Sequence, residues 1–169
     1  IGGVHRSSAE TGDISADLNA IARRNVLVVS AGAKAFLDLP RTLEFLETHS
    51  VPVLGWKTLD FPAFYIRNSG LRVGHRVDSA LEVAKIHQSR RALGQGGSLL
   101  AVPIPEDAEL DAQSVNAAIA ESLARVEQQK ISGAQITPHV LAAIETATEG
   151  QSVAANLALA ENNASIAAR

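Results

Sequence analysis

The stretch NVLVVSAGAKAFLDLP, residues 25–40, decides the fold. Its apolar run, Val26–Val29, is typical of a strand that is buried on both faces of a parallel sheet. The small residues that follow, Ser30–Ala33, allow another backbone segment or a ligand to come close. The next residue is Lys34, an ammonium group at the point where a dry strand ends. The stretch therefore predicts a buried strand with a candidate site at its carboxyl end.

On both sides of this strand, the sequence alternates between predicted strands and helices. Strands are predicted over 25–30, 51–56 and 98–105, and helices over 15–24, 39–50, 77–94, 112–130, 137–150 and 152–169. Ser15, Ser79 and Thr137 are predicted N-caps. Gly94 and Gly150 are predicted helix stops. This alternation predicts an α/β fold with a mainly parallel sheet, in which ligands bind at the carboxyl ends of the strands.

Composition limits the class of protein. Of the 169 residues, 46% are apolar and 20% are charged, as in an ordinary globular domain. With 15 Lys and Arg against 18 Asp and Glu, the formal charge of −3 gives no electrostatic case for a nucleic-acid or membrane-surface partner. The absence of cysteine from the sequence excludes disulfides and thiolate metal sites within it. A cytoplasmic location is expected, because a protein without cysteine is compatible with the cytosol.

Lys34 has two interpretations. In the first, its side chain extends past the sheet edge and the ammonium group reaches water. In the second, it is a nucleophilic amine, because burial favours the neutral form, and such lysines form Schiff bases with carbonyl carbons. The small residues before it leave room for a substrate, which favours the second interpretation.

Asp13 and Asp17 bracket Ser15 at the start of a predicted helix. Helix capping explains this pattern by itself. The alternative is an oxygen site for Mg²⁺ or Mn²⁺, with one direct carboxylate and water as the other ligands. Ser15 could then face a phosphate or a sugar hydroxyl from the helix N-terminus.

The turn at Gly2 and Gly3 is followed by His5 and Arg6. Backbone N–H groups and cationic side chains in this order suit anion binding, and an ordinary surface turn is the alternative. The other four histidines show no metal-ligand spacing and are predicted to be structural; they are His49, His75, His87 and His139.

Six segments occur in an order that resembles one known family: GGVHR, DISADL, VVSAGAKAFLDLPRTLEFLET, VPVLGW, FPAFYIRNSG and ANLALAENNA. Together they resemble the pseudouridine-5′-phosphate glycosidase family, also called pseudouridylate synthase, which is similar to indigoidine synthase A-type proteins. The resemblance runs over nearly the whole sequence, and residues 13–48 carry its longest part. It implies a three-layer α/β/α core and a homotrimer.

The resemblance also implies a reaction and a site. Pseudouridine 5′-phosphate and water would give uracil and ribose 5-phosphate, with a pseudouridine kinase as the upstream pathway partner. The lysine of SAGAK, Lys34, would be the nucleophile, and the first aspartate of DISADL, Asp13, would hold Mn²⁺ or another divalent cation. The substrate-binding residues would be Ser15, Ala16 and Asp17, together with His5 and Asn156.

Two features depart from the family pattern. The general-acid glutamate and a phosphate-side lysine of the family lie ahead of its GGVHR segment. We therefore expect residues 1–169 to be the C-terminal portion of a single glycosidase domain, inactive without its upstream half. Gly12 and Ser7 also replace residues that are usual in the family. Because the predicted acid is absent from this sequence, a non-catalytic α/β module for sugar-phosphate binding or assembly is the alternative function.

Overall fold

The computed structural model describes residues 1–131 and 133–169. Its α-helices are α1 (Ser8–Thr11), α2 (Ala16–Arg23), α3 (Leu39–Thr48), α4 (Ala80–Ala92), α5 (Ala112–Gln128), α6 (Ile136–Ala147) and α7 (Gln151–Ala167). Its strands are β1 (Leu27–Ser30), β2 (Val53–Trp56), β3 (His75–Val77) and β4 (Ser98–Ala101). Among the described residues, no helix combines the length and the apolar character needed to cross a membrane.

The four strands form one sheet in the order β1-β4-β2-β3, and each neighbouring pair is parallel. Leu27 of β1 lies opposite Ser98 of β4, and Leu54 of β2 lies opposite Leu100 of β4. The fold is therefore α/β with a parallel sheet, as predicted. All four carboxyl ends lie at the same edge of the sheet, so the residues that follow β1 and β2 are at one edge.

Helices cover the two faces of the sheet. On one face, Leu99 of β4 belongs to an apolar cluster that includes Leu18 of α2. On the other, Leu100 packs in a second cluster with Val83 of α4 and Ile166 of α7. Successive residues of β4 thus point into different clusters, as the strand's alternation requires. The result is a helix–sheet–helix arrangement in which β4 is completely buried.

Helices α5 and α6 pack against each other and enlarge the first of these clusters. Val115 and Ile119 of α5 and Val140 and Ile144 of α6 are almost completely buried there. Asp111 caps α5, because its side chain accepts a hydrogen bond of 2.7 Å from the backbone N–H of Ser114. The hydroxyl of Ser114 donates a second bond of 2.7 Å to the same carboxylate, and this bond, followed by the backbone bond, lowers the pKa of Asp111.

Several predicted boundaries are confirmed and others are wrong. Ser15 caps α2 and Ser79 caps α4, as predicted. Helix α6 begins at Ile136 with Gln135 as its N-cap, so the predicted cap at Thr137 lies inside the helix. Gly150, with a φ of 82°, separates α6 from α7 and agrees with the predicted stop.

Two elements were not predicted from the sequence. Strand β3 has three residues, and two of them, His75 and Arg76, are exposed, so it shows neither an apolar run nor a clear alternation. Helix α1 lies in the polar segment after the turn at Gly2 and Gly3, and none of its residues is buried. Both elements are short and depend on their neighbours for stability.

Candidate active site

The segment Ile1–His5 lies beside the end of β1, and hydrogen bonds from both its N–H and its carbonyl groups fix its backbone. The nitrogen of Ile1 donates to the carbonyl of Gly32 at 2.8 Å, and the N–H of Lys34 donates to the carbonyl of Ile1 at 3.2 Å. Further along, the N–H of Asp38 donates to the carbonyl of Val4 at 2.9 Å. The segment is therefore held against the loop that carries Lys34.

A buried threonine of α3 holds the middle of the same segment. The hydroxyl of Thr42 accepts a hydrogen bond of 3.0 Å from the N–H of Val4 and donates one of 2.7 Å to the carbonyl of Asp38. Thr42 and Val4 are both almost inaccessible to water. Sequence reasoning missed Thr42, although a threonine on the apolar face of a predicted helix is a usable signal for a buried hydrogen bond.

Two glycines allow the close approach of these backbones. Gly32 has a φ of 71°, and a Cβ on it would lie 1.9 Å from the carbonyl oxygen of Pro62. A Cβ on Gly2 would lie 2.2 Å from the hydroxyl oxygen of Ser15. Neither distance is compatible with a side chain, so both positions require glycine for this packing.

The DISAD motif lies antiparallel to the segment. The N–H of His5 donates to the carbonyl of Asp13 at 3.1 Å, and the N–H of Ser15 donates to the carbonyl of Gly3 at 2.9 Å. The side chain of Asp17 accepts a hydrogen bond of 2.7 Å from the N–H of Gly2. Ser15 and Asp17 therefore reach the loop of Lys34 through the glycine turn between them.

Lys34 is half-buried, and its charge acts at the same point as the charge of Asp17. The Asp17 carboxylate and the Lys34 ammonium both act electrostatically on the nitrogen of Ile1. Asp17 is exposed, so this corner is only partly shielded from water. It places two opposite charges beside the backbone of Ile1.

Asp13 and His5 face each other on the outer side of the segment. The Nδ1 of His5 is 3.7 Å from the Oδ2 of Asp13, and the two side chains are 14% and 31% exposed. Among the described residues, no group of three or more His, Cys, Asp or Glu side chains could hold a metal ion. A cation at Asp13 would therefore have one protein carboxylate and several waters, a donor set that Mg²⁺ and Mn²⁺ accept.

The remaining predicted residues are more distant from these contacts or more exposed. Ala16 is the first residue of α2 and is exposed. Asn156 is exposed on α7, and no hydrogen bond from it to Lys34, Asp13 or Asp17 is present in the described part of the chain. The structure thus joins His5, Asp13, Ser15, Asp17 and Lys34 to one segment, and the role of Asn156 stays a prediction.

A second loop, within the FPAFYIRNSG segment of residues 61–70, supports the loop of Lys34. The N–H of Phe64 donates to the carbonyl of Ala31 at 2.9 Å, and Phe61 of the same loop is completely buried. Phe64 has a φ of 62°, a conformation that costs a non-glycine residue roughly 1–2 kcal/mol. The packing of this loop therefore fixes the small residues between β1 and Lys34.

A cavity of about 530 Å³ lies beside the segment. Lys34 is not among its lining residues, and its polar lining comes from Arg6, Asp38, Asn68, Ser69 and Asn116. The candidate site at the carboxyl end of β1 therefore stays a prediction that this cavity does not test.

The chain is similar to known proteins along its whole length. The family described as "Indigoidine synthase A like protein" matches residues 1–169. A pseudouridine-5′-phosphate glycosidase of Sorangium cellulosum is 52% identical over 168 residues, which are 99% of this chain and 53% of that protein. The glycosidase of Caldanaerobacter subterraneus is 51% identical over 170 residues, which are 100% of this chain and 55% of that protein. The chain spans about half the length of the curated relatives it matches.

Two solved structures share the fold. The prealnumycin C-glycosynthase AlnA, in complex with ribulose 5-phosphate, superposes with a TM-score of 0.90 at 38% identity, over 97% of this chain and 54% of that one. An indigoidine synthase A-like protein of Thermotoga maritima superposes with a TM-score of 0.83 at 34% identity, over 96% of this chain and 53% of that one.

Proposed function

We propose a reaction for this chain, which belongs to the indigoidine synthase A-like family. It takes part in the reversible cleavage of the C–C glycosidic bond of pseudouridine 5′-phosphate, and the products are uracil and ribose 5-phosphate. The observation that carries the proposal is the hydrogen bonding that joins the loop of Lys34 to the DISAD motif through the Ile1–His5 segment. Relatives about half identical in sequence are pseudouridine-5′-phosphate glycosidases, and the similar AlnA structure contains a sugar phosphate.

The domain organisation is part of the proposal. Residues 1–169 would form the C-terminal portion of a single domain that assembles as a trimer, with the acid residue in the other portion. The Ala-rich helix α7 offers an exposed face for assembly, because Val153 and Leu157 are 50% and 63% exposed. Sedimentation of the full-length protein at micromolar concentration tests the trimer, and a monomer would contradict it.

A nucleophilic lysine addresses the main difficulty of the reaction. The glycosidic position of a C-glycoside has no oxygen or nitrogen that an acid can protonate, so direct departure of the base is poor. In the proposed path, the C1′–O4′ bond breaks as O4′ takes a proton, and the Nζ of Lys34 forms a bond to C1′. The amine gives up a proton on forming this bond, and the hard step is divided into easier ones.

The cleavage step follows from this adduct. The bond between C1′ and C5 of uracil breaks, its electron pair goes to uracil, and C5 receives a proton. The nitrogen lone pair of Lys34 completes an imine with C1′. Water then adds to the imine carbon, and ribose 5-phosphate and the free amine are released. Water and pseudouridine 5′-phosphate are thus the only reactants consumed.

The neighbouring groups have roles that their contacts allow. One oxygen of Asp17 already accepts the N–H of Gly2, so its other oxygen is available to accept a hydrogen bond from a sugar hydroxyl. The hydroxyl of Ser15 accepts from the N–H of Asp17 at 3.3 Å and keeps its proton for donation to a substrate oxygen. These bonds would orient the sugar beside Lys34.

Asp13 would hold the divalent cation, with His5 beside it. When bound, the cation supplies positive charge and ordered waters near the base. The carboxylate of Asp13 is partly exposed, which fits a site completed by water. Titration of Mn²⁺ into the full-length protein and into Asp13→Asn, followed by the EPR signal of free Mn²⁺, tests this role without measuring turnover. Equal binding by both proteins would contradict it.

The reaction itself is tested with the full-length protein, pseudouridine 5′-phosphate and Mn²⁺. Release of uracil is the expected result, and chelation by EDTA should stop it until Mn²⁺ is restored. Borohydride reduction in the presence of ribose 5-phosphate should add the sugar to the peptide that contains Lys34. Binding of ribose 5-phosphate without uracil release or imine trapping would instead favour the non-catalytic sugar-phosphate module.

A further inference from the structure

The backbone of Val4 is bonded on one side to the start of helix α3. Its N–H donates to the hydroxyl of Thr42 at 3.0 Å, and its carbonyl accepts from the N–H of Asp38 at 2.9 Å. Asp38 is the N-cap of α3, and Thr42 lies one turn later on the same helix. Val4 therefore directs both of its backbone groups at α3.

The residues on either side of Val4 bond in the opposite direction, to the DISAD motif. The carbonyl of Gly3 accepts from the N–H of Ser15 at 2.9 Å, and the N–H of His5 donates to the carbonyl of Asp13 at 3.1 Å. A strand with an antiparallel neighbour on each side alternates its bonds in this way. A shift of Val4 relative to α3 would therefore be passed directly to the DISAD motif.

The loop of Lys34 is joined to the same end of α3. The N–H of Leu37 donates to the carbonyl of Lys34 at 3.0 Å, so the chain makes a single turn between Lys34 and the N-cap residue Asp38. Leu37 is buried in the larger apolar cluster, which holds this turn against the core. One path from Lys34 to the DISAD motif thus runs through the start of α3 and through Val4.

The side chain of Thr42 is suited to fix this path. Its hydroxyl donates to the carbonyl of Asp38 at 2.7 Å, and this bond orients the hydroxyl so that a lone pair faces the N–H of Val4. A Cβ on Gly3 would lie 2.5 Å from the Oγ1 and 3.0 Å from the Cγ2 of Thr42, so glycine leaves the room that both branches need. Thr42 is completely buried, and water does not compete for its bonds.

We propose that Thr42 is a positioning residue for the reaction and that, through Val4, it sets the position of the DISAD motif relative to Lys34. This role rests on the proposed function, in which the nucleophile and the motif act on one sugar. Displacement of reacting groups by about 1 Å costs on the order of 100-fold in rate. The hydroxyl of Thr42 has both of its bonds within the protein, so its effect belongs to geometry rather than to substrate contact.

Substitutions in the full-length protein test this role by kinetics. Thr42→Val keeps the shape of the side chain and removes both hydrogen bonds, so kcat for uracil release should fall roughly 10- to 100-fold, while KM changes less than about threefold. Thr42→Ser keeps the hydroxyl and should retain kcat within about threefold of wild type. An undiminished kcat in Thr42→Val, or an equal loss in Thr42→Ser, would overturn the proposal.

Thr148 supplies a matched control at the junction of α6 and α7. Its hydroxyl donates to the carbonyl of Ile144 at 2.8 Å and accepts from the N–H of Ser152 at 3.2 Å, the same two kinds of bond that Thr42 makes. Thr148→Val should lower the resistance to urea, as Thr42→Val does, and leave kcat unchanged. Parallel losses of stability and kcat in the two variants would assign Thr42 a structural role alone.

Hydrogen exchange tests the positioning without turnover. In Thr42→Val, the amides of His5 and Ser15 should exchange at least about tenfold faster than in wild type, because their ladder is no longer held to α3. Thr148→Val should leave exchange at these two amides unchanged. Thr42→Ala removes the same bonds without a methyl group in the place of the hydroxyl, and it takes the place of Thr42→Val if that variant does not fold.

The positioning role and the proposed reaction can fail separately. Uracil release by wild type, together with unchanged exchange and kcat in Thr42→Val, would refute the positioning role and leave the reaction standing. No uracil release by wild type would refute the reaction, and exchange at His5 and Ser15 would then decide whether Thr42 positions the DISAD motif.

Discussion

Strands β1 and β2 both end near a lysine, but the two ends are built differently. After β1, Lys34 is half-buried, and its N–H donates to the carbonyl of Ile1. Its ammonium charge and the Asp17 carboxylate both act on the nitrogen of Ile1. Other segments of the chain enclose it. The turn to Lys34 is made by a glycine, Gly32, at a φ of 71°.

After β2, Lys57 is exposed to solvent. Its N–H donates to the carbonyl of Val77 at 2.8 Å, and its ammonium group lies 5.6 Å from the ring centroid of Trp56. Lys57 itself has the left-handed conformation, with a φ of 58°. The comparison teaches that a position directly after a strand does not by itself make a lysine a candidate nucleophile. Neighbouring segments must also shield the lysine from water.

The largest expected effect distinguishes the chemistry of the two lysines. In the full-length protein, Lys34→Ala should lower kcat for uracil release on the order of 10⁴-fold or more, because it removes the proposed nucleophile. Lys57→Ala is the matched control and should change kcat less than about twofold. Equal losses in both variants, or a borohydride-trapped sugar on Lys57, would end the distinction between the two strand ends.

The next effect concerns the glycine that turns the chain after β1. Gly32→Ala should lower the free energy of unfolding by about 2–4 kcal/mol, because the new Cβ meets the carbonyl of Pro62 at 1.9 Å. Gly70→Ala is the control, since Gly70 has a φ of 81° but nothing within 4 Å of its Cβ position. It should cost only the conformational strain, roughly 1 kcal/mol. Urea unfolding measures both, and similar losses would contradict the close packing around Gly32.

A smaller effect of opposite sign is expected after β2. Lys57→Gly should stabilise the protein by about 0.5 kcal/mol, because relief of the left-handed strain exceeds the entropy that glycine adds to the unfolded chain. Lys57→Ala keeps the Cβ and should give no such gain. Thermal unfolding of the two variants decides the matter, and a loss of stability in Lys57→Gly would show that the strain is absent.

The smallest effect is a pH dependence beside β3. Hydrogen bonds from the Arg76 guanidinium lower the pKa of Asp78, and the Arg76 and Lys57 charges act in the same direction. A carboxylate with a lowered pKa stabilises the folded protein at pH values above the ordinary aspartate pKa of about 3.9. This contribution to stability is lost as the pH falls below that value. Asp78→Asn should therefore be slightly less stable than wild type at pH 7, and the difference should shrink as the pH falls through the lowered pKa of Asp78. Because Asp78 is exposed, salt should reduce the difference. A difference in stability that does not change with pH would assign it to packing.

The sequence predicted much of the candidate site because its motifs are local. Ser15 caps α2, and five of the predicted residues are joined by the Ile1–His5 segment. It did not predict Thr42, because the bond from Val4 spans 38 residues and depends on how α3 packs. It also did not predict β3, whose short strand is fixed by pairing with β2.

By itself, the sequence determined the strand–helix alternation and the placement of Lys34 after a strand. Both follow from local periodicity, caps and glycines. The prediction that residues 25–30 form a strand buried on both faces is wrong for the described sheet, because β1 lies at its edge and Leu27, Val28 and Val29 are half-buried. Only the tertiary structure decided the strand order β1-β4-β2-β3, the enclosure of Lys34 and the exposure of Lys57 and Asn156. The physical reason is that strand order and solvent exposure depend on contacts between residues far apart in the chain, to which local preferences contribute little.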